Sequence, residues 1–229
     1  MKKIILSIAL LFNIYAVTAQ EMKLQDIKRT MMTVKPSQEL YANIRKDLNG
    51  IKAAKWALNY YNAFALLHGM LFIEEENVIK ERLVEVNQLL SLENNSDIAI
   101  LTEVRRIMEE LDCLKLLSLA YELKFDRSRA EDKVFRETYT QISNEIKSLN
   151  TSNPRMLYAD ALYAYFMTEN RTANEVVLKN LTEIKTMSGD LLTDLDEKNM
   201  EKLEGELPRW GKQEAKFLLE LCKKNATKK

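Results

Sequence analysis

Two acidic clusters, Glu74-Glu75-Glu76 and Glu109-Glu110, are the part of this chain best equipped for acid–base chemistry. Two carboxyl groups at a fixed separation suffice for glycoside hydrolysis, which makes a carboxylate-dependent envelope hydrolase one alternative to weigh. Adjacent positions on a helix do not face each other, however, so these runs read as solvated faces. The single histidine, His68, stands among Leu66, Leu67, Met70 and Leu71. A Ser-His-Asp triad needs two further groups that no spacing here supplies, and His68 reads as a histidine on a helix-packing surface. One histidine and two distant cysteines, Cys113 and Cys222, do not make a nitrogen–sulfur zinc site. Glycines at 50, 69, 189, 205 and 211 cannot form the GxxxxGK loop that cradles phosphate. The methionines are scattered, where a copper site needs them clustered. These residues point to no catalytic group, no metal and no cofactor.

Binding chemistry is better represented. In the run NPRMLYADALYAYF, residues 153–166, Tyr158, Ala161, Leu162 and Tyr165 fall at i, i+3, i+4, i+7 and share one helix face. Aromatic and small residues in that order let helices approach closely, so this face is expected to pack. Tyr163 and Arg155 leave it on other sides. In a stack of helical hairpins the first helix of each pair usually lines the concave surface, and Tyr and Arg are over-represented at interaction hot spots. Tyr163 and Arg155 are therefore the candidate partner-binding residues. The same aromatic faces also permit a cavity between helices, and with it a carrier of an apolar small ligand. Trp56 and Trp210 read as anchors between helices.

The elements that must position these residues are helical throughout. The chain has five glycines and three prolines, and no stretch alternates polar and apolar over strand length. A loose segment over 20–33 is expected first, then a helix from Pro36-Ser37 toward Gly50. Trp56, Tyr60, Ala63 and Leu67 stripe the next helix, and Ile79, Leu83, Val86 and Leu90 the one after, ending at the polar turn Glu93-Asn94-Asn95. Ser96-Asp97 opens a long helix carrying Val104, Met108 and Leu111 to about Leu123. Ser128 and Glu131 have capping-box spacing before a helix with Phe135, Tyr139, Ile142, Ile146 and Leu149. Asn153 suits an N-cap and Pro154 the first helical position. Thr172 and Glu175 repeat the box ahead of Val177, Leu181 and Ile184, and a final helix runs from Gln213 to about Lys224. Some eight helices with short connections favour antiparallel neighbours. Hairpins beginning near 54, 97 and 154 fit a short, degenerate α-solenoid whose pairs bury their faces by stacking.

The N-terminus directs where this domain goes. Lys2 and Lys3 precede a 14-residue apolar segment, Ile4 to Val17, and Val17-Thr18-Ala19 offers the small residue of a cleavage site. Residues 1–19 are therefore expected to be a signal peptide cut after Ala19, leaving 20–229 as one all-α domain in the periplasm or outside the cell. The segment is shorter than the roughly 20 residues of a membrane span. Lysine plus arginine and aspartate plus glutamate each total 34, and losing Lys2 and Lys3 leaves the remainder near −2. No basic excess argues for nucleic acid, and no polybasic run for a membrane partner. In an oxidising compartment Cys113 and Cys222 can close a loop of roughly 110 residues, worth about 4–5 kcal/mol. Against that, Cys222 is in register with Ala215, Leu218 and Leu219, the pattern of a buried free thiol.

The order Trp56, Tyr60-Tyr61, Asn94-Asn95-Ser96, "NPR" at 153–155 and "PRWGKQEAKFLLEL" at 208–221 resembles a group of exported bacterial tetratricopeptide-repeat-like proteins of uncharacterised function, over roughly residues 54–224. The resemblance implies a stack of helical hairpins and an exported location, and it brings no catalytic residues. In that group an aromatic, proline- and glycine-rich loop follows the NPR helix, whereas here Thr168-Glu169-Asn170-Arg171 has neither Pro nor Gly. An activity carried by that loop would be lost or changed in this chain. The expectation is a non-enzymatic scaffold of the cell envelope that binds a protein or peptide partner.

Overall fold

The computed structural model describes residues 23–31, 33–91, 95, 104–149, 153–167 and 212–226. The expected signal peptide, the helix start at Ser96-Asp97, the Thr168–Arg171 loop, the Thr172–Glu175 box with its helix, and Trp210 lie outside them. Eight α-helices and no strand occur among the described residues: α1 (23–31), α2 (Gln38–Leu48), α3 (Lys55–Gly69), α4 (Glu76–Leu89), α5 (Val104–Glu122), α6 (Lys133–Leu149), α7 (Pro154–Met167) and α8 (Lys212–Ala226). The all-helical reading holds.

Local chemistry sets most boundaries. Ser37 caps α2 by accepting from the Leu40 amide at 3.0 Å, and Arg45 and Lys46 in its last turn oppose the negative end of the helix dipole. Asn153 caps α7 through Oδ1, which accepts from the amides of Arg155 (2.8 Å) and Met156 (3.4 Å), and Pro154 takes the first helical position as expected. At the far end of α4 the buried Asn95 closes the helix, its amide donating to the carbonyls of Leu89 and Ser91 at 2.8 and 2.7 Å.

Two local expectations are corrected. Residues 23–31 are helical: Leu24, Ile27 and Met31 form a narrow buried stripe at i, i+3, i+7, and the Thr30 hydroxyl donates back to the Asp26 carbonyl. Three apolar positions among Lys23, Asp26, Lys28 and Arg29 make a weak periodic signal, and the burial arises from tertiary packing. The Ser128–Glu131 box does not form either. Those residues lie in a 3₁₀ turn, Arg127–Glu131, whose cap is Asp126. Helix α6 starts behind Asp132, whose carboxylate accepts from the amides of Val134 and Phe135. Two aspartates at N-cap positions out-compete the hydroxyl, because each has itself left helical geometry, Asp126 at φ −124°, ψ 86° and Asp132 at φ −64°, ψ 124°, and can turn its oxygen onto free amides.

Helices α3 and α5 form the centre. Helix α3 packs on α2, α4 and α5, while α5 also packs on α4, α6 and, most extensively, α7. Neither is a one-sided amphipath: Trp56, Tyr60, Tyr61, Phe64 and Leu67 are buried on α3, and Leu111, Leu114, Leu117 and Tyr121 on α5. The expected stripe of α7, Tyr158, Ala161, Leu162 and Tyr165, is buried, with Ala159 and Phe166 beside it. Lys124, in the turn behind α5, has a side chain only 3% exposed. Its ammonium donates to the carbonyls of Met70 and Ile73, capping the 3₁₀ turn that ends α3, with the exposed Glu74 carboxylate 3.9 Å away.

Candidate functional site

Two buried polar clusters lie where α3, α5 and α7 adjoin. In the first, Glu110 on α5 accepts from Tyr60 on α3 (3.0 Å) with one carboxylate oxygen and from Arg155 on α7 (2.5 Å) with the other. The side chains of Arg155 and Glu110 are only 16% and 10% exposed. Next to them the Asn153 amide donates to Glu109 at 2.5 Å, so the residue that caps α7 also ties it to α5. Burial pulls the Arg155 pKa down, but the charge of Glu110, with Tyr60, Cys113 and Glu109 behind it, outweighs that and raises it. The guanidinium stays charged.

The second cluster gathers side chains from five helices. Tyr41 (α2), His68 (α3), Tyr121 (α5), Tyr158 (α7) and Glu214 (α8) are all buried. The His68 ring stacks on Phe64, with centroids 4.2 Å apart, and lies nearly parallel to Tyr158 at 5.9 Å. A carbonyl can only accept, so the 2.9 Å contact between Nδ1 and the Phe64 carbonyl places the hydrogen on Nδ1. Burial lowers the His68 pKa to about 4, against a smaller opposing effect of that hydrogen bond, and the ring is neutral at pH 7. Tyr41 donates to Glu214 at 3.4 Å. Burial first, and then the Glu214 charge, holds the Tyr41 hydroxyl well above its usual pKa; burial, Tyr121 and Glu214 do the same for Tyr158. These phenols are donors at every ordinary pH.

Glu214 brings α8 into this cluster, since Ala215, Leu218 and Cys222 on the same face are buried with it. Phe217 packs on Phe72 with ring centroids 5.1 Å apart, and Lys35 reaches over Phe217 to pair with Glu220 at 2.6 Å. The last described helix thus lies against elements more than 140 residues earlier in the chain.

The two sequence-expected contact residues are placed differently from each other. Arg155 is enclosed by the Glu110 ion pair. Tyr163 is half-buried between α6 and α7, its ring 4.7 Å from Tyr139 and 6.4 Å from Phe135, while Tyr139 donates to Asp160 at 2.8 Å. Glu109-Glu110 is not the solvated pair expected, because α5 is covered by both α3 and α7. Glu74, by contrast, is exposed, and Glu76 pairs with Lys80 along the surface of α4. Cys113 and Cys222 are free, buried thiols. Burial raises both their pKa values, Cys222 to about 11.

Among the described residues no group of three or more His, Cys, Asp or Glu side chains is placed to hold a metal ion. No described helix is long and apolar enough to cross a membrane. Sequence reasoning took Glu110 for part of a solvated run and missed Tyr41 and Glu214. The signal for Glu214 was present, as it directly precedes Ala215 on the apolar register of α8. Comparison with models of protein families, with curated proteins and with solved structures gave no match.

Proposed function

We propose that this chain is a tetratricopeptide-like interaction scaffold, exported to the cell envelope, that holds a helical or extended segment of a protein partner. The observation that carries this reading is the seat of α8: an amphipathic helix lies across α2 and the end of α3, with its carboxylate between tyrosines of α2 and α7. Helix-in-groove recognition works this way, with apolar anchors one turn apart and a polar group fixing register. The packing of α3 on α4 and of α5 on α6, each on its neighbour in chain order, with α7 adjoining α5, supports a hairpin stack in which α3, α5 and α7 form the inner layer. Export rests on the Lys2-Lys3 start, the apolar Ile4–Val17 segment and Ala19. Tyr163 remains the candidate contact on α7, and Arg155 supports it from inside by fixing α7 on α5.

The test is crosslinking capture with tagged residues 20–229 in envelope extract of the source organism, read by quantitative mass spectrometry. The expected result is one saturable partner, competed away by excess untagged protein and weakened in Tyr163→Ala. Absence of any competed partner would sink the scaffold reading.

A further inference from the structure

Asparagine followed by glycine is a dipeptide whose side chain and backbone can react with each other, and Asn49-Gly50 is its single occurrence in the chain. The pair ends α2, with Asn49 as the helix C-cap and both residues exposed. Glycine has no Cβ to shield its nitrogen, and beyond its chain neighbours no protein atom comes within 4 Å of where a Gly50 Cβ would stand. The Asn49 carboxamide makes no hydrogen bond among the described residues. Other asparagines are held. Nδ2 of Asn62 donates to the Leu58 carbonyl at 2.9 Å, and Nδ2 of Asn95 to those of Leu89 and Ser91. Asn153 donates to Glu109 and precedes Pro154, whose ring nitrogen carries no hydrogen to lose. What resists reaction at Asn49 is its backbone: φ −62° and ψ −18° are helical, and ψ must rotate before the Gly50 nitrogen reaches Cγ. Two bonds oppose that rotation. Gly50 N–H reaches the Asp47 carbonyl at 3.4 Å, longer than the usual range, and Ile51 N–H reaches that of Leu48 at 3.1 Å. Both lie at a helix end, where local opening costs least.

We propose that Asn49 is a site of self-modification, through which the connection between α2 and α3 changes its charge and its backbone with time. The Gly50 nitrogen, its proton given to hydroxide, forms a bond to Cγ of Asn49. The Cγ–Nδ2 bond breaks, and Nδ2 takes a proton from water and leaves as ammonia. One water then opens the resulting five-membered imide at either of its carbonyls. Opening at Cγ gives aspartate, and opening at the main-chain carbonyl carries the chain on through Cγ as isoaspartate. The sum is asparagine plus water giving the acid plus ammonia, with no further reactant. Either product puts a carboxylate at the negative end of the α2 dipole, where it is unfavourable. Isoaspartate also adds a methylene to the main chain two residues ahead of Ile51, which is buried at 6% exposure. The buried stripe of α2, Tyr41, Ile44 and Leu48, is thereby loosened on α3.

The test incubates the full chain at mildly alkaline pH, beside a urea-unfolded sample and a Gly50→Ala variant. Trypsin cuts after Lys46 and Lys52, and the peptide of residues 47–52 is read by mass spectrometry against a digest at time zero. In the folded wild type this peptide should gain one mass unit and split into two isomers, while peptides holding Asn62 and Asn153 stay unchanged. The rate should rise with pH, because the nucleophile is the deprotonated nitrogen. Gly50→Ala should slow conversion at least tenfold without harm to the fold, since the new methyl meets open space. Conversion in the unfolded sample alone overturns the proposal, because the fold then protects the site, and this holds even if the variant fails to fold. Equal rates in wild type and Gly50→Ala overturn it too, since the reaction would then not pass through Gly50. Hydrogen exchange of the separated isoaspartyl form supplies the last arm. Its α2 amides should exchange at least tenfold faster than in the unmodified chain, with those of α5 unchanged. Identical α2 exchange in the two forms overturns the proposed loosening of α2.

Discussion

Replacing Arg155 by alanine separates two roles that the sequence could not. If Arg155 faces a partner, the substitution costs affinity and little stability. The geometry predicts the reverse. With the guanidinium gone, Glu110 keeps the Tyr60 hydrogen bond at 3.0 Å but loses the 2.5 Å ion pair, at a side-chain exposure of 10%. Stripping a buried carboxylate of its ion-pair partner costs about 3–5 kcal/mol. That is a third or more of the stability of many domains, which spans about 5–15 kcal/mol. For a chain of this size it corresponds to roughly 6–20 °C in Tm. Urea unfolding followed by helical circular dichroism should show the loss as a lower midpoint at unchanged slope. The paired change Arg155→Met with Glu110→Leu should recover most of it, since an apolar pair of similar volume often matches a buried ion pair. A stability within about 1 kcal/mol of wild type for Arg155→Ala would refute the network as a stabilising element and return Arg155 to the surface.

Three further expectations follow from buried groups. His68 is neutral when folded, with a pKa of about 4 against 6.5 for the free side chain. The unfolded chain therefore binds the extra proton between those values, so stability contributed by the neutral ring is present above pH 6.5 and lost as pH falls to 4. The loss is about 3 kcal/mol, and His68→Gln should flatten that part of the pH–stability curve by this amount if the assignment is right. Lys124→Met should strip the cap from the 3₁₀ turn after α3, leaving the Met70 and Ile73 carbonyls without their ammonium, at a cost of about 1–3 kcal/mol in chemical denaturation. Ellman's reagent should titrate no thiol in the native chain and both in denaturant, because Cys113 and Cys222 are free, buried and shifted away from the reactive thiolate. No thiol under denaturing, non-reducing conditions would mean a disulfide instead.

What the sequence made legible follows from the range of the forces involved. Ser37, Asn153 and Pro154 act on amides within three residues, so their roles could be read directly, and the stripe of Tyr158, Ala161, Leu162 and Tyr165 depends only on helical period. Asp126 and Asp132 were missed because a hydroxyl and a carboxylate offer similar caps, and the choice between them depends on the entry angle of the chain. Glu110 lies further from reach. Nothing local distinguishes a carboxylate that meets water from one that meets Arg155 and Tyr60, 45 and 50 residues away in sequence. Tyr41 and Glu214 stand 173 positions apart, and their contact exists only because α8 comes back across α2. The same dependence gives these residues their meaning. A charge buried by chance would be costly and without compensation, whereas Glu214 meets a phenol that cannot ionise at ordinary pH and so must donate.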